Sequence, residues 1–423
     1  MVCPCGGDKE AEKQARKDIE ESSLPKDERL LSIIFFVENK MLQLPELYSK
    51  HLTKQFNYPQ YLVLLILINL LQNLKTVRLE ELARRFPLPI QLRSRVKKLQ
   101  RFLSLEQFNI RTIWFPIIRS WLQETWNKDE IIHIIIDRSQ WREINLLMVS
   151  LVYKRRAIPV YFSLLQKKGN SNLEQQQQVL QPAIELLKGY KITVLGDREF
   201  CGVELAQWLS KEQNVCLSLR LKKNEYVELE EQIWFQLSDL GLTPGMSLYY
   251  QGVKVTKTKG FSGFNLAAKW KRNYRDNSSK ETWFILTNLD SLDAATSAYA
   301  KRMGIEEMFR DFKGGGYNLE LTRVNNYRLI SLILLICLSY SLSTFTGQSI
   351  KSKGVAKYVS RPTEKKRIYR RHSSFAVGLH GQNWLDSVEF FHDVVQELLH
   401  FSTHKLPYYL KGMRAISLIQ SCL

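Results

Sequence analysis

The sequence predicts an α/β protein: one buried sheet, helical regions on either side of it in the chain, and a β-rich insertion. Two observations carry this reading. Three β-branched or aromatic runs of strand length, "IIHIIID" (131–137), "KITVLGD" (191–197) and "WFILTNL" (283–289), are mainly apolar, as in strands covered on both faces. The chain before residue 127 and after residue 291 instead carries apolar groups at helical spacing, the period of helices packed on a core.

Residues 1–25 are charged and sparse in apolar groups and read as a tail. Residues 26–128 read as a helical region. Within it, "TVRLEELARRFPLPIQLRSRVKKLQRFLS" breaks at "PLP" between a short helix and a second carrying Arg93, Arg95, Lys97, Lys98 and Arg101. Two helices about a tight turn, the second densely basic, predict a helix-turn-helix near 78–104 that contacts DNA through those five cations. Its plain alternative is a helical hairpin with a solvated face.

After residue 129, "INLLMVSLVY" and "IPVYFSLL" predict two strands forming a meander with the first, followed by a helix over "NLEQQQQVLQPAIELLKGY". A short helix (203–210) and a strand (215–221) come next. Residues 222–281 change character to short basic hairpins, the insertion. A long helix from 292 to about 313 is followed by a "KGGGY" break and then an apolar helix. Residues 129–221 and 282–350 together make the sheet-containing core. The basic C-terminal part, 351–423, is mainly helical and contains "TEKKRIYRRH".

With 61 Lys and Arg against 42 Asp and Glu, the formal charge is +19. Such a surplus points to a polyanionic partner, nucleic acid or an anionic membrane surface; the bland reading is solubility. "YLVLLILINLL" (61–71) is too short to cross about 30 Å of hydrocarbon. "LISLILLICLSYSLSTF" (329–345) nears the length, but its Ser, Thr and Tyr content predicts a buried core helix and no membrane partner. Met1 is followed by a charged stretch without an apolar segment, so the expectation is a cytoplasmic protein with reduced cysteines. Cys3 and Cys5 have no second metal-binding pair at matching spacing and read as part of a frayed terminus.

Asp137 and Asp197 each end a predicted buried strand, where an unpaired carboxylate is costly and a divalent cation is a natural partner. For either alone, a plain loop cap is the better reading. On "SAYAKRMGIEEMFRDFKGGG", Tyr299, Arg302, Glu306 and Lys313 fall within a helical face roughly 60° wide. An acid for metal, flanked by groups that hold phosphate, therefore shares one face, with Arg310 near it and Glu307 and Asp311 off it. His133 precedes Asp137 and reads as a packed core residue.

The spacing Y-(2)-R-(3)-E-(6)-K, with "DRSQW" and "GDREF" as two Asp boxes, resembles DDE transposases of the "insertion sequence four" family. The resemblance runs from the helical region before Trp126 to "RRHSSFAVGL" near Phe375. It implies a ribonuclease-H-like catalytic core, with Asp137 ending the first strand, Asp197 the fourth, and Glu306 on the helix after the fifth. These three are implied as catalytic residues and as ligands of two Mg²⁺ ions, with Mn²⁺ a possible substitute. Tyr299, Arg302 and Lys313 match positions contacting DNA-end phosphates. Trp283 resembles a tryptophan that stacks on a flipped base; its alternative is a strand-edge aromatic. Arg138 and Arg198, beside the acids, read as phosphate contacts or structural ion pairs.

The resemblance implies cut-and-paste transposition of an insertion sequence. Water cuts one strand at the element's end, the freed 3′-hydroxyl attacks the opposite strand to give a hairpin, and after its reopening the hydroxyl attacks target DNA. The implied partners are the terminal inverted repeats, the target and a second copy of the chain on DNA, in a nucleoid-associated setting. Two alternatives stand beside this: a nuclease of the same fold without strand transfer, and an inert sequence-specific DNA-binding protein.

Overall fold

The computed structural model describes residues 43–257, 260–272, 281–361, 372–401 and 405–422. The predicted tail, Cys3, Cys5 and most of "TEKKRIYRRH" lie outside them. Ten strands form one sheet in the order β3-β2-β1-β4-β5-β10-β9-β8-β6-β7. β1 (Ile131–Trp141), β2 (Ile144–Tyr153) and β3 (Arg156–Leu164) are the predicted antiparallel meander. β4 (Lys191–Gly196) pairs parallel with β1, and β5 (Val215–Arg220) parallel with β4. That strand order with those directions is the ribonuclease-H-like topology that the resemblance implied.

Burial explains why β1 reads as a continuous apolar run. Ile132, Ile134, Ile135 and Ile136 are all buried, on both faces of the pleat, which requires cover on both sides. The helices α6 (Leu173–Leu186) and α9 (Met303–Phe312) pack on the meander, α7 (Val203–Ser210) packs on β5, and α8 (Leu292–Ala300) packs on β4, β5, β9 and β10. α6 starts at a capping box in which Asn172 and Gln175 satisfy each other's backbone N–H.

The 222–281 segment does not stand apart from the sheet. β10 (Trp283–Thr287) joins β5 antiparallel, and β9 (Phe261–Lys269), β8 (Ser247–Val255), β6 (Tyr226–Glu230) and β7 (Ile233–Gln236) continue outward from it. Glu306 therefore follows a sixth core strand, antiparallel to the fifth.

Two local expectations need correction. Asp137 lies within β1, which runs on to Trp141; what ends beside it is the pairing with β4, whose last pair is Ile136 with Gly196. The predicted 292–313 helix is broken at Lys301–Arg302 into α8 and α9. Through the break Arg302, Gly304 and Ile305 make tight bonds to carbonyls three residues back. The second half must also approach β3 closely: a Cβ on Gly304 would stand 3.2 Å from the Arg156 carbonyl carbon.

The N-terminal helices α1 (Glu46–Gln55), α2 (Tyr58–Leu74), α3 (Leu79–Arg85), α4 (Leu92–Phe102) and, after a π-helical turn at Ile110–Trp114, α5 (Phe115–Thr125) share the hydrophobic core of the sheet. Trp114 donates its indole N–H to the Pro159 carbonyl of β3, and Tyr48 its hydroxyl to Ser341. Ser341 belongs to α10 (Asn326–Ser352), which among the described residues is the helix long and apolar enough to cross a membrane. Within the protein 89% of its most apolar stretch is buried, as expected of a core helix. Cys201, Cys216, Cys337 and Cys422 form no disulfide.

α10 lies against α11 (Ser374–Phe390) almost backbone to backbone; α12 (His392–His400) and α13 (Leu406–Gln420) complete the C-terminal part. A Cβ on Gly378 would meet the Ser343 carbonyl oxygen at 1.8 Å, and one on Gly347 the Ser374 carbonyl oxygen at 1.8 Å. Neither neighbour is a flexible side chain. Gly378→Ala is expected to cost at least about 1–3 kcal/mol and to lower Tm by calorimetry. Gly412→Ala on α13, with nothing within 4 Å of its Cβ, should leave Tm unchanged or raise it through helix propensity.

Candidate active site

The parallel pairing of β1 and β4 sets Asp137 and Asp197 abreast, each one residue beyond the Ile136–Gly196 pair. Gly196 is fixed by crowding, since a Cβ there would stand 2.8 Å from the Phe200 Cβ and 3.0 Å from Leu219. Beyond it the chain turns at once: the Asp197 carboxylate accepts the Glu199 backbone N–H at 2.8 Å, and its carbonyl accepts that of Phe200.

Glu306 comes from the first turn of α9, 43% exposed, and is joined to Asp137 through Arg302. The Arg302 guanidinium reaches Asp137 at 3.3 Å and also donates to Glu306. Its own side chain is only 12% exposed. Asp137, 14% exposed, accepts the Arg138 backbone N–H at 2.7 Å. Burial pushes its carboxyl up from 3.8 to about 7, with Asp197 and Glu306 adding repulsion and the Arg138 N–H and Arg302 opposing. Asp137 thus feels both other carboxylates, each brought by a different element.

Such a donor set has the chemistry a hard divalent cation requires. As the side chains stand, Arg302 fills the gap between Asp137 and Glu306. Among the described residues no three His, Cys, Asp or Glu groups are close enough to share one ion. The fit is therefore chemical, with a cationic guanidinium where the carboxylate fields meet.

The other phosphate-contact candidates are not gathered at this gap. Tyr299 is buried, its ring edge-on to Trp283 at 5.0 Å with the Arg302 guanidinium 5.9 Å from its centroid. Trp283, half-buried, carries the Lys271 ammonium 4.4 Å above its ring. It lies two residues beyond the Ile285–Arg220 pair, at the end of the sheet where Asp137 and Asp197 sit. Lys313 caps α9 and pairs with Glu320 at 2.8 Å, 5.8 Å from the Trp141 ring centroid. In the α3–α4 hairpin Arg93, Lys97 and Arg101 are exposed and Lys98 half-buried. Arg95 turns inward, donating to the Arg84 and Phe86 carbonyls that end α3.

Arg138 is a structural ion pair: its Nε donates to Glu199 at 2.9 and 3.0 Å, and its other nitrogens reach Gln140, Asn145 and Asn170. Glu199 also accepts both donors of Ser171. Sequence reasoning missed Glu199, the positioning residue that ties the Asp197 turn to β1; its only signal is the second acid of "GDREF". Arg198 pairs with Glu281 at 3.2 Å on the surface. Also missed was Arg156, which holds Asp311 at 2.6 Å and Glu307 at 3.5 Å and so clamps α9 to the start of β3. His133 is half-buried with Lys301 3.2 Å from its ring; burial, then that ammonium, lowers it to about 4, so it is neutral at pH 7.

The raised Asp137 acid has a stability consequence. Between its unfolded value near 3.8 and about 7, the folded chain holds a proton that the unfolded chain releases, so stability falls as pH rises through that window. In chelator, Asp137→Asn is expected to melt above the parent at pH 8, the gap closing as pH falls from 7 to 4. A gap of opposite sign, or one unchanged at pH 4, would count against a carboxylate strained by burial and its neighbours.

Residues 146–342 match the family described as Transposase DDE domain. That stretch, a little under half of the chain, holds Asp197 and Glu306 and begins downstream of Asp137. No curated protein matches the chain in sequence. Among solved structures, the chain is similar to the cryo-EM structure of the piggyBac transposase synaptic complex with hairpin DNA. Identity is 12% and the TM-score 0.42, over 84% of this chain and 75% of that one, a likeness too slight to bear on function. The family match supports a transposase of the DDE type.

Proposed function

We propose that this chain is a cut-and-paste DNA transposase of the "insertion sequence four" kind, with Asp137, Asp197 and Glu306 as its catalytic carboxylates. The observation that supports the reading is Asp137, set abreast of Asp197 by the β1–β4 register and linked to Glu306 of α9 through Arg302. Loop capping explains either aspartate alone but not a buried Asp137 held against two further acids.

Under this reading the carboxylates hold two Mg²⁺ or Mn²⁺ ions, which would supply Lewis-acid activation of water and stabilise charge on the phosphate in flight. The protein's own part is positional. Glu199 and Arg138 fix the Asp197 turn, and Arg156 fixes α9 and with it Glu306. Arg302 serves as phosphate ligand once substrate arrives, giving up its carboxylate pairs for a charge-assisted fork on the DNA end. Tyr299 buttresses Trp283, which faces the same end of the sheet and offers an indole surface to an unstacked base. Lys313 and the α4 cations contact backbone phosphates of the terminal inverted repeats. Two copies of the chain pair the two element ends, in a cytoplasmic, nucleoid-associated setting.

The test is cleavage of labelled DNA carrying the ends that flank the gene, with Mg²⁺. The parent should cut at the element boundary. Glu306→Ala should lose at least about two to three orders of magnitude in rate while still shifting the DNA in a gel. Parent protein that binds paired ends but never cuts them would sink the enzymatic reading.

A further inference from the structure

A cleft of about 1080 Å³ opens between the β2–β3 turn, α9, the end of α10 and the start of α11; the β1–β2 register puts that turn toward the Ile131 end of β1, away from Asp137. None of Asp137, Asp197 and Glu306 lines it. Glu306 and Glu307 are successive residues of α9, so the two sites look out from faces about 100° apart. The cleft therefore has a chemistry of its own.

Its charge is unbalanced. Lys154, Arg155, Arg156, Arg310 and Lys351 line it against two carboxylates, Glu307 and Asp311. Both acids are already engaged within the wall, by Arg156 and, for Glu307, also by Arg310. Lys351 donates to the His372 carbonyl at 3.0 Å and to the Ser374 hydroxyl at 3.4 Å, which holds its ammonium over the first turn of α11. That 17-residue helix points the positive end of its dipole at the same space. The cations of the turn and a helix terminus converge with no matching anion among the described lining residues.

The backbone of the turn does not call for these cations. Lys154 and Arg155 make a two-residue hairpin connection with Lys154 at φ 56°. Positive φ at the first central residue alone favours glycine there, and a left-handed lysine costs on the order of 1 kcal/mol. The charged groups of its walls are mainly cations, which suits a polyanion.

We propose that this cleft is a second nucleic-acid site, taking backbone phosphates of duplex DNA outside the segment held at the carboxylates. That the polyanion is DNA rests on the transposase reading; that the cleft binds phosphate rests on its own geometry. Two Lys or Arg contacts to duplex phosphates should each add about 0.9 to the slope of log affinity against log salt.

The experiment is fluorescence anisotropy of the full chain with a labelled duplex of about 30 base pairs and arbitrary sequence, over a salt series. Lys154→Gln with Arg155→Gln should weaken binding several-fold and lower the slope by about two, while the charge-keeping pair Lys154→Arg with Arg155→Lys restores both. The control pair Lys188→Gln with Lys211→Gln removes two exposed cations elsewhere. Affinity and slope unchanged in the turn variant, an equal loss in the control, or a parent that does not bind the duplex would each overturn the proposal. End cleavage separates the two readings: a parent that never cuts, yet shows the turn-specific loss, keeps the cleft and loses the transposase. Normal cutting with an unchanged slope does the reverse.

Discussion

Everything at the candidate active site depends on the parallel register of β1 against β4. Ile136 opposite Gly196 fixes two aspartates side by side, and crowding around Gly196 leaves no room for a side chain that could shift that register. From there the chain has to solve an electrostatic problem, since neighbouring strands lie only about 4.8 Å apart. The solution in place is a guanidinium. Arg302 sits at the break between α8 and α9, where tightened backbone bonds aim its side chain at Asp137 while Glu306 follows one turn later. The helix break and the charge compensation are thus one device: an unbroken helix would not need Gly304 pressed against β3.

Much of this was legible in the sequence, and the reasons differ by residue. The strands showed themselves because a sheet covered on both faces needs near-continuous apolar runs, and "IIHIIID" and "KITVLGD" are close to that. The two aspartates were visible as acids closing those runs, and Glu306 through its spacing from Tyr299 and Arg302. The α8–α9 break was not visible, because Lys301 and Arg302 are good helix formers and only the approach of Gly304 to β3 forces the chain to tighten there. Tyr299 was read as facing phosphate on a continuous helix, yet it lies in a small cluster with Ala267, Ile285 and Ala295. Its burial follows from sheet growth beyond β10, which no local pattern reveals.

The supporting ion pairs were equally hidden. Arg138 with Glu199 and Arg156 with Asp311 join residues far apart in the chain, and each looks like ordinary surface charge in one dimension. In the fold they are mostly buried, and burial makes them matter: breaking a buried pair strands one charge. Both brace a carboxylate-bearing element, the Asp197 turn in one case and α9 in the other. Asp311 has its carboxyl pushed up to about 7 by burial, with Arg156 as the leading counterweight, so the clamp on α9 is itself finely balanced.

The placement of β6–β9 on the far side of β10 carries one more consequence. Because the sheet grows outward from β5, the strands between residues 222 and 281 add width in a direction that leads away from Asp137 and Asp197. The fixed spacing of strands makes the inner part of the sheet a ruler, and length added at the β6–β7 turn, where Gln232 takes φ 64°, leaves the ruler's inner marks where they are. That outer edge is where the chain has geometric slack: a hairpin lengthened or shortened there leaves the entry point of α8 anchored by β10 pairing with β5.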